Sequence, residues 1–304
     1  MNILVGYTGF VGSNIYQYGK FDKVFNSKNI EEAYGLEPDL LIYAGLRAEK
    51  YLANNEPEKD MELIKIAERN IEKINPRKLV LISTIDVMNK TNLCDEDTKL
   101  EKTGLSAYGL NRLILEEWVR EKYPTALIIR LPALFGINIK KNFIYDYMNF
   151  IPYMIKESKM KELIKVSPKM MNYYTLADNG FYRCKELSGE EKNYLKGILK
   201  ELEFSALSFT DSRSRYQFYP LSRLWNDINI ALDNHLLLWH PATEPISVGE
   251  LYRYLTGNEF INEIQSEPAD YNFITRYANL FGKEGPYILN RDEIMSEILE
   301  FVKE

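Results

Sequence analysis

The chain has 304 residues, 45% of them hydrophobic and 27% charged, enough to bury one large domain or two modest ones. Its 38 basic and 44 acidic residues leave a net charge of −6, which gives no general attraction for nucleic acid or an anionic membrane. No apolar run approaches the roughly 18–20 residues that span a bilayer, the opening Met-Asn-Ile-Leu-Val-Gly lacks a basic signal-peptide start, and two Cys with two His are too few for a thiolate–imidazole metal cage; a cytoplasmic protein without a metal centre is expected.

In chain order, residues 2–6 (NILVG), 39–44 (DLLIYA), 78–83 (KLVLIS) and 125–130 (TALIIR) predict strands. They are nearly continuous aliphatic runs, as when helices cover both faces of a sheet. Helical patterns near 10–18, 57–74 and 107–122 lie between them, the last stopped by Pro124. This alternation predicts right-handed βαβ crossovers and a Rossmann-type, doubly wound parallel sheet over residues 1–140. Residues 142–204 read as mainly helical, with the lysine-rich stretch Lys156–Lys169 as a solvated helix face. Residues 216–240 resume a strand–helix–strand texture (YQFYPL, LWNDINIAL, HLLLWH) and are expected to return to the main sheet. Residues 141–215 and 241–304 then form a smaller, mainly helical C-terminal substrate domain.

Gly6, Gly9 and Gly12 stand directly after a strand and lead into a helix whose Val11, Ile15 and Tyr18 share a face, with Gly19 as its stop. The glycines permit a tight turn, close approach of backbone to a pyrophosphate, and close packing of helix on sheet. The helix N-terminus offers free N–H groups to the phosphates. The loop Gly6, Thr8, Gly9, Phe10, Val11 and Gly12 is therefore expected to bind NAD or NADP. A ribose-reading acid would fall about 20 residues on, but the stretch there holds Asn26, Ser27 and Lys28. No carboxylate repels a 2′-phosphate and Lys28 can attract one, which favours NADP; Asn26 can still bond a 2′-hydroxyl, so NAD stays open.

His235 and His240 bracket Leu-Leu-Leu-Trp and are read as ending a buried strand. With no Gly-x-Ser-x-Gly elbow, acid–base chemistry falls to Tyr, Lys, Arg or carboxylates. Thr84 ends the 78–83 strand region, where open α/β sheets bind ligands. Tyr108 opens the 107–122 helix, and Arg112 lies one turn on, on the same face.

The string GYTGFVGSN resembles the cofactor loop of the extended short-chain dehydrogenases/reductases, which include nucleotide-sugar epimerases, dehydratases and reductases. Ala44-Gly45, Ser83-Thr84, Tyr108, Arg130-Leu131-Pro132, Gly136 and a later segment from Arg215 to Asp227 follow in the matching order. The match is specific through about residue 136 and loose beyond it, and the spacing of Ser83-Thr84 to Tyr108 resembles that of dTDP-sugar reductases. The resemblance implies that Thr84 bonds the substrate oxygen, Tyr108 moves its proton, and Ala44, Gly45, Leu131 and the residue at 112 line the cofactor. Its usual lysine four residues after the tyrosine is Arg112 here. Arginine keeps a charge that can depress the phenol pKa, but it cannot give up a proton. By the same resemblance an arginine near 213–223, best Arg215, with Arg213 and Arg223 as alternatives, grips a diphosphate, and Asn142 reaches the substrate. A homodimer through the helices at 57–74 and 107–122 is also implied. An epimerase or reductase acting on a nucleotide-activated sugar is the expectation. Dehydration ranks lower, because residue 85 is Ile where an acid is wanted, although Asp86 is near. A reductase of a non-sugar carbonyl and a catalytically quiet dinucleotide-binding sensor or scaffold are the alternatives.

Overall fold

The computed structural model describes residues 1–177 and 180–303. Positions 178–179, within the stretch expected to be mainly helical, and residue 304 lie outside the described residues. The first half of the chain forms β1 (Asn2–Val5), α1 (Phe10–Tyr18), β2 (Lys23–Phe25), β3 (Leu40–Tyr43), α2 (Lys50–Asn55), α3 (Pro57–Ile74), β4 (Leu79–Thr84), α4 (Ala107–Lys122), β5 (Leu127–Leu131), β6 (Ala133–Phe135) and α5 (Phe143–Met148). There follow β7 (Met154–Lys156), α6 (Glu157–Val166), β8 (Tyr174–Leu176), β9 (Phe181–Cys184), α7 (Gly189–Glu201), β10 (Arg215–Tyr216), β11 (Phe218–Pro220), α8 (Leu224–Asp233), β12 (Leu238–Trp239), β13 (Ile246–Ser247), α9 (Val248–Thr256) and α10 (Arg291–Lys303).

Six strands form one sheet in the order β12-β5-β4-β3-β1-β2, every pair parallel. Alternate residues of each strand face opposite ways, and both faces are covered. Ile3, Val5, Leu41, Tyr43, Leu79, Leu81 and Ile128 pack with Ile64, Ala67 and Ile71 of α3 and Leu115 and Val119 of α4. Leu4, Ile42, Val80, Leu127 and Ile129 pack with Ile15 of α1 and Leu224, Ile228 and Ala231 of α8. Two-sided burial is why these strands read as unbroken aliphatic runs. Each fully buried aliphatic side chain contributes about 1.5–3 kcal/mol. Local signals fix the helix ends: α3 begins with Pro57, carries Glu58 and Asp60 in its first turn and stops at Asn75, which is left-handed (φ 54).

The described residues fall into two compact units. The first comprises 1–139, 215–246 and 269–303, and the second 140–214 and 247–268. The stretch 241–304, assigned from sequence to the substrate domain, thus divides: 241–246 and 269–303 pack with the sheet unit and only 247–268 joins the second. Within 216–240, the strand expected at YQFYPL does not enter the main sheet. Its β11 pairs with β6 in a separate two-stranded sheet, and only β12 adds to the main one, beside β5.

The second unit contains α5, α6, α7 and α9 and also a three-stranded antiparallel sheet, β7-β9-β8. The mainly helical reading of 142–204 overlooked those strands because, at three or four residues each, they are too short to show alternation. In the lysine-rich stretch, α6 buries Met160 and Leu163 and pairs Lys161 with Glu157 at 2.8 Å and Lys159 with Glu162 at 2.7 Å on its outer face. The histidines part company: His240 is fully buried after β12, but His235 is exposed in a left-handed turn (φ 56) after α8. Tyr18 likewise stays 47% exposed, and only Ile15 of the expected face is fully buried.

Candidate active site

Strand order reverses between β1 and β3, since the chain leaves β1 for β2 on one side and returns to β3 on the other. Such a switch point opens a ligand crevice at the carboxyl ends of the strands. Gly6 ends β1 there at φ +94, and a Cβ on it would lie 2.4 Å from the Ala44 carbonyl oxygen after β3. A Cβ on Gly12 would stand 2.1 Å from the Gly6 carbonyl oxygen, so this glycine lets α1 sit against the turn. Gly9, exposed and extended, caps α1 without a capping side chain. The first N–H groups of α1 are thus presented beside Thr8, Phe10 and Val11, as a phosphate requires. Asn14 anchors the helix: its amide donates to the Phe10 and Ile137 carbonyls at 2.8 Å each, and its oxygen accepts from the Ile137 N–H at 3.1 Å.

The end of β2 reaches the same turn through a Gly6 N–H to Phe25 carbonyl bond of 2.7 Å. Asn26 accepts the Lys28 N–H at 2.9 Å on its side-chain oxygen, and Ser27 and Lys28 are exposed. Ala44 donates its N–H to Val5 at 2.9 Å, Gly45 is exposed, and Leu131 ends β5 beside Thr84 of β4. These residues fit a dinucleotide: an open glycine cradle, an uncapped helix start, and no carboxylate at 26–28.

Thr84 closes β4. Its hydroxyl accepts the Asp86 N–H and donates to the Asp86 carboxylate, both at 3.2 Å. Helix α4 packs on that turn because residue 109 is glycine: a Cβ there would lie 2.0 Å from the Asp86 carbonyl oxygen. Ser106 caps α4 by accepting the Gly109 N–H at 3.2 Å, and the Tyr108 N–H donates to Asn54 of α2 at 3.1 Å. Tyr108 is thereby held, 5% exposed, over the carboxyl end of the sheet.

Arg112 lies beneath it, its guanidinium carbon 4.1 Å from the centre of the phenol ring. It is bound elsewhere, however. It forms a buried ion pair with Asp60 of α3 and donates to the Arg47 carbonyl at 2.8 Å, while Asn111 donates to Asp60 at 2.8 Å. A second cation, Lys50, sits 2.6 Å from the Asp86 carboxylate and 5.9 Å from the Tyr108 ring centre. Burial pushes the Tyr108 phenol above its ordinary value; Arg112 and Lys50 oppose this, and Asp86 and Asp60 reinforce it. The resting residue is a protonated phenol and so a proton donor. Tyr271, stacked on Tyr216 with centres 5.8 Å apart, also has its pKa raised by burial, and the charges of Lys50 and Asp86 act on it.

Other sequence candidates resolve differently. Ser83 turns inward and donates to Glu116 at 2.6 Å; Glu116 is paired with Arg130 at 2.6 Å, and Arg130 lies 3.3 Å from His240 Nε2. Asn142 caps α5 in the second unit, accepting the Ile144 N–H at 3.0 Å. Arg213 is bound to Asp211 at 2.8 Å and Glu263 at 3.1 Å, and Arg223 lies near Asp227 and Glu297 at 3.9 and 3.6 Å. Arg215 pairs with exposed Asp270 at 3.4 Å. Lys50, Asp60 and Tyr271 were not singled out from sequence. Lys50 begins a six-residue helix too short to show a period, and Asp60 is one acid among many on α3.

No protein-family model matches the chain, and no curated protein does. Solved structures do match along nearly all its length. A dTDP-4-dehydrorhamnose reductase from Yersinia enterocolitica superposes with a TM-score of 0.63 at 14% identity, over 99% of this chain and 98% of that one. The chain has the fold of the extended short-chain dehydrogenases/reductases. UDP-glucose 4-epimerase from Thermotoga maritima, solved with UDP-glucose, gives 0.61 at 15% identity over 100% and 98% of the two chains. RMD from Pseudomonas aeruginosa, complexed with NADPH, gives 0.61 at 12% identity over the whole of both. At such identities the likeness is one of fold. Among the described residues no helix is long and apolar enough to cross a membrane.

Proposed function

We propose that this chain is an NAD(P)-dependent reductase or epimerase of a nucleotide-activated sugar. The observation that carries the reading is the juxtaposition of Thr84, Asp86 and a protonated Tyr108 on the sheet edge that also holds the glycine cradle. The fold similarity to nucleotide-sugar reductases and epimerases supports the substrate class. In this reading the backbone of Gly6 to Gly12 cradles the pyrophosphate, Asn26, Ser27 and Lys28 receive the adenosine ribose with NADP preferred, and Ala44, Gly45 and Leu131 flank the rest; Arg112, expected from sequence to line the cofactor, is instead buried and held by Asp60 and the Arg47 carbonyl. The nicotinamide, when bound, supplies or takes up the hydride. Thr84 holds the sugar oxygen through its hydroxyl, and Tyr108 gives that oxygen its proton or takes one from it. Arg215, the best placed of the three candidate arginines along the sequence, is assigned to the diphosphate, and Asn142 to the substrate.

Native mass spectrometry of the purified chain should find a nicotinamide dinucleotide together with a nucleotide sugar. With the sugar identified, Tyr108→Phe should lower turnover by at least ~100-fold while leaving dinucleotide affinity nearly unchanged. Full turnover in that variant would remove the mechanism. A second reading is favoured by one observation: Arg112 is committed to Asp60. On that reading the chain binds the dinucleotide without turnover, and no nucleotide sugar is consumed.

A further inference from the structure

We propose that Lys50 is a second positioning cation of the Tyr108 site, acting together with the Arg112 guanidinium beneath the ring and offsetting Asp86; the inference rests on the proposed role of Tyr108 as proton donor.

Three observations carry it. First, α2 is docked at Tyr108 by two residues one turn apart, which share a helix face. Asn54 accepts the Tyr108 N–H at 3.1 Å, and Lys50 brings its ammonium 5.9 Å from the ring centre. Second, Lys50 is paired at 2.6 Å with the carboxylate that also takes the Thr84 hydroxyl. Without Lys50, Tyr108 and Thr84 would face an uncompensated Asp86, and leaving a negative phenolate there would cost more. Third, the two cations differ in access. Arg112 and Asp60 are 3% and 4% exposed, whereas the Lys50 side chain is 53% exposed. An ammonium on a flexible four-carbon stem can shift toward a charge that appears at Tyr108; a guanidinium fixed by Asp60 and the Arg47 carbonyl cannot. Burial works to lower the Lys50 pKa, but Asp86, Tyr271 and Tyr108 outweigh it and raise the net value. The residue therefore stays charged at neutral pH.

The test reads Tyr108 directly and needs no substrate. With 3-fluorotyrosine placed at 108, ¹⁹F NMR follows ionisation of this one phenol in the full chain. The groups acting on it are Arg112, Asp86, Lys50 and Asp60. Lys50→Met should raise its midpoint by about one pH unit, the effect of removing a neighbouring cation. Lys50→Arg should return it close to the parent value, and Asp86→Asn should lower it. Once a substrate is known, Lys50→Met should lower kcat more than it raises KM, with the pH profile displaced the same way. An unchanged or lowered midpoint in Lys50→Met would overturn the proposal. Full activity in Tyr108→Phe would instead overturn the reading beneath it, and the NMR titration would still decide whether Lys50 sets the Tyr108 charge.

Discussion

Arg112 makes a tyrosine neighbour into a structural post. Its guanidinium satisfies Asp60, which is almost fully buried between α3 and α4, and stacks on the Tyr108 ring. Removing one partner of a buried pair leaves the other charge uncompensated, at about 3–5 kcal/mol. Arg112→Met should therefore lower the urea-unfolding free energy by that amount. The double variant with Asp60→Asn should recover most of it, because the remaining amide can still take the Asn111 hydrogen bond as a neutral group. Equal losses in the single and double variants would show that Arg112 acts through its stacking on Tyr108 and not through Asp60. Arginine is better suited than lysine to this double duty, since a planar fork can bond two acceptors edge-on and still present its face to a ring.

At the scale of elements, the proposed active groups depend on how closely α4 lies on the turn after β4. Gly109→Ala would put a Cβ 2.0 Å from the Asp86 backbone oxygen, and neither a helix nor a strand end can yield that distance cheaply. The variant should displace Tyr108 from Thr84 and reduce kcat/KM by at least ~100-fold, the effect of a misplacement of about 1 Å. Dinucleotide affinity, measured by fluorescence titration, should stay within a few-fold, because the cradle belongs to β1, α1 and β3. Gly197→Ala is the control: it lies in α7 with nothing within 4 Å of the new methyl, and it should raise Tm modestly, worth roughly 0.5–1 kcal/mol. These elements differ in how far sequence could reveal them. The glycine loop, β1, β3, β4, β5 and helices α1, α3 and α4 announce themselves, because two-sided burial writes continuous aliphatic runs and the helices carry caps and stops at their ends. The supporting contacts do not. Asp60, Lys50 and Asn54 are ordinary surface letters on helical stretches until the chain folds, and only the approach of α2 and α3 to α4 makes them neighbours of Tyr108.

At the scale of the whole molecule, the return of 269–303 to the sheet unit has a consequence for acid stability. Sequence composition shifts near residue 140 mark where the second unit begins, but no local signal marks 246 or 269, where the chain crosses back. The last segment seals His240 beneath the edge of the sheet unit: Ile274 offers its carbonyl 3.4 Å from Nδ1, and Thr275 and the Arg276 N–H bond Glu96, which also accepts the His240 N–H. On its other side stands Arg130, with Arg120 beyond. Burial first, and then the two arginines, push the His240 pKa down from 6.5 to about 3, so the folded ring is neutral across the ordinary range. The unfolded chain takes up a proton near pH 6.5 that the folded chain refuses, so below 6.5 the unfolded state binds more protons. Stability is full above that value and falls as pH drops toward 3. At pH 4.5 the loss through this one ring is about 2–3 kcal/mol, at roughly 1.4 kcal/mol per unit. Burial raises the pKa of Glu96, which pulls the opposite way; its contribution persists when the histidine is replaced. Urea midpoints at pH 7.5 and 4.5 for the parent chain and for His240→Gln separate the two: the parent should lose the larger amount between the two pH values, and equal losses would place the acid sensitivity in the carboxylates instead.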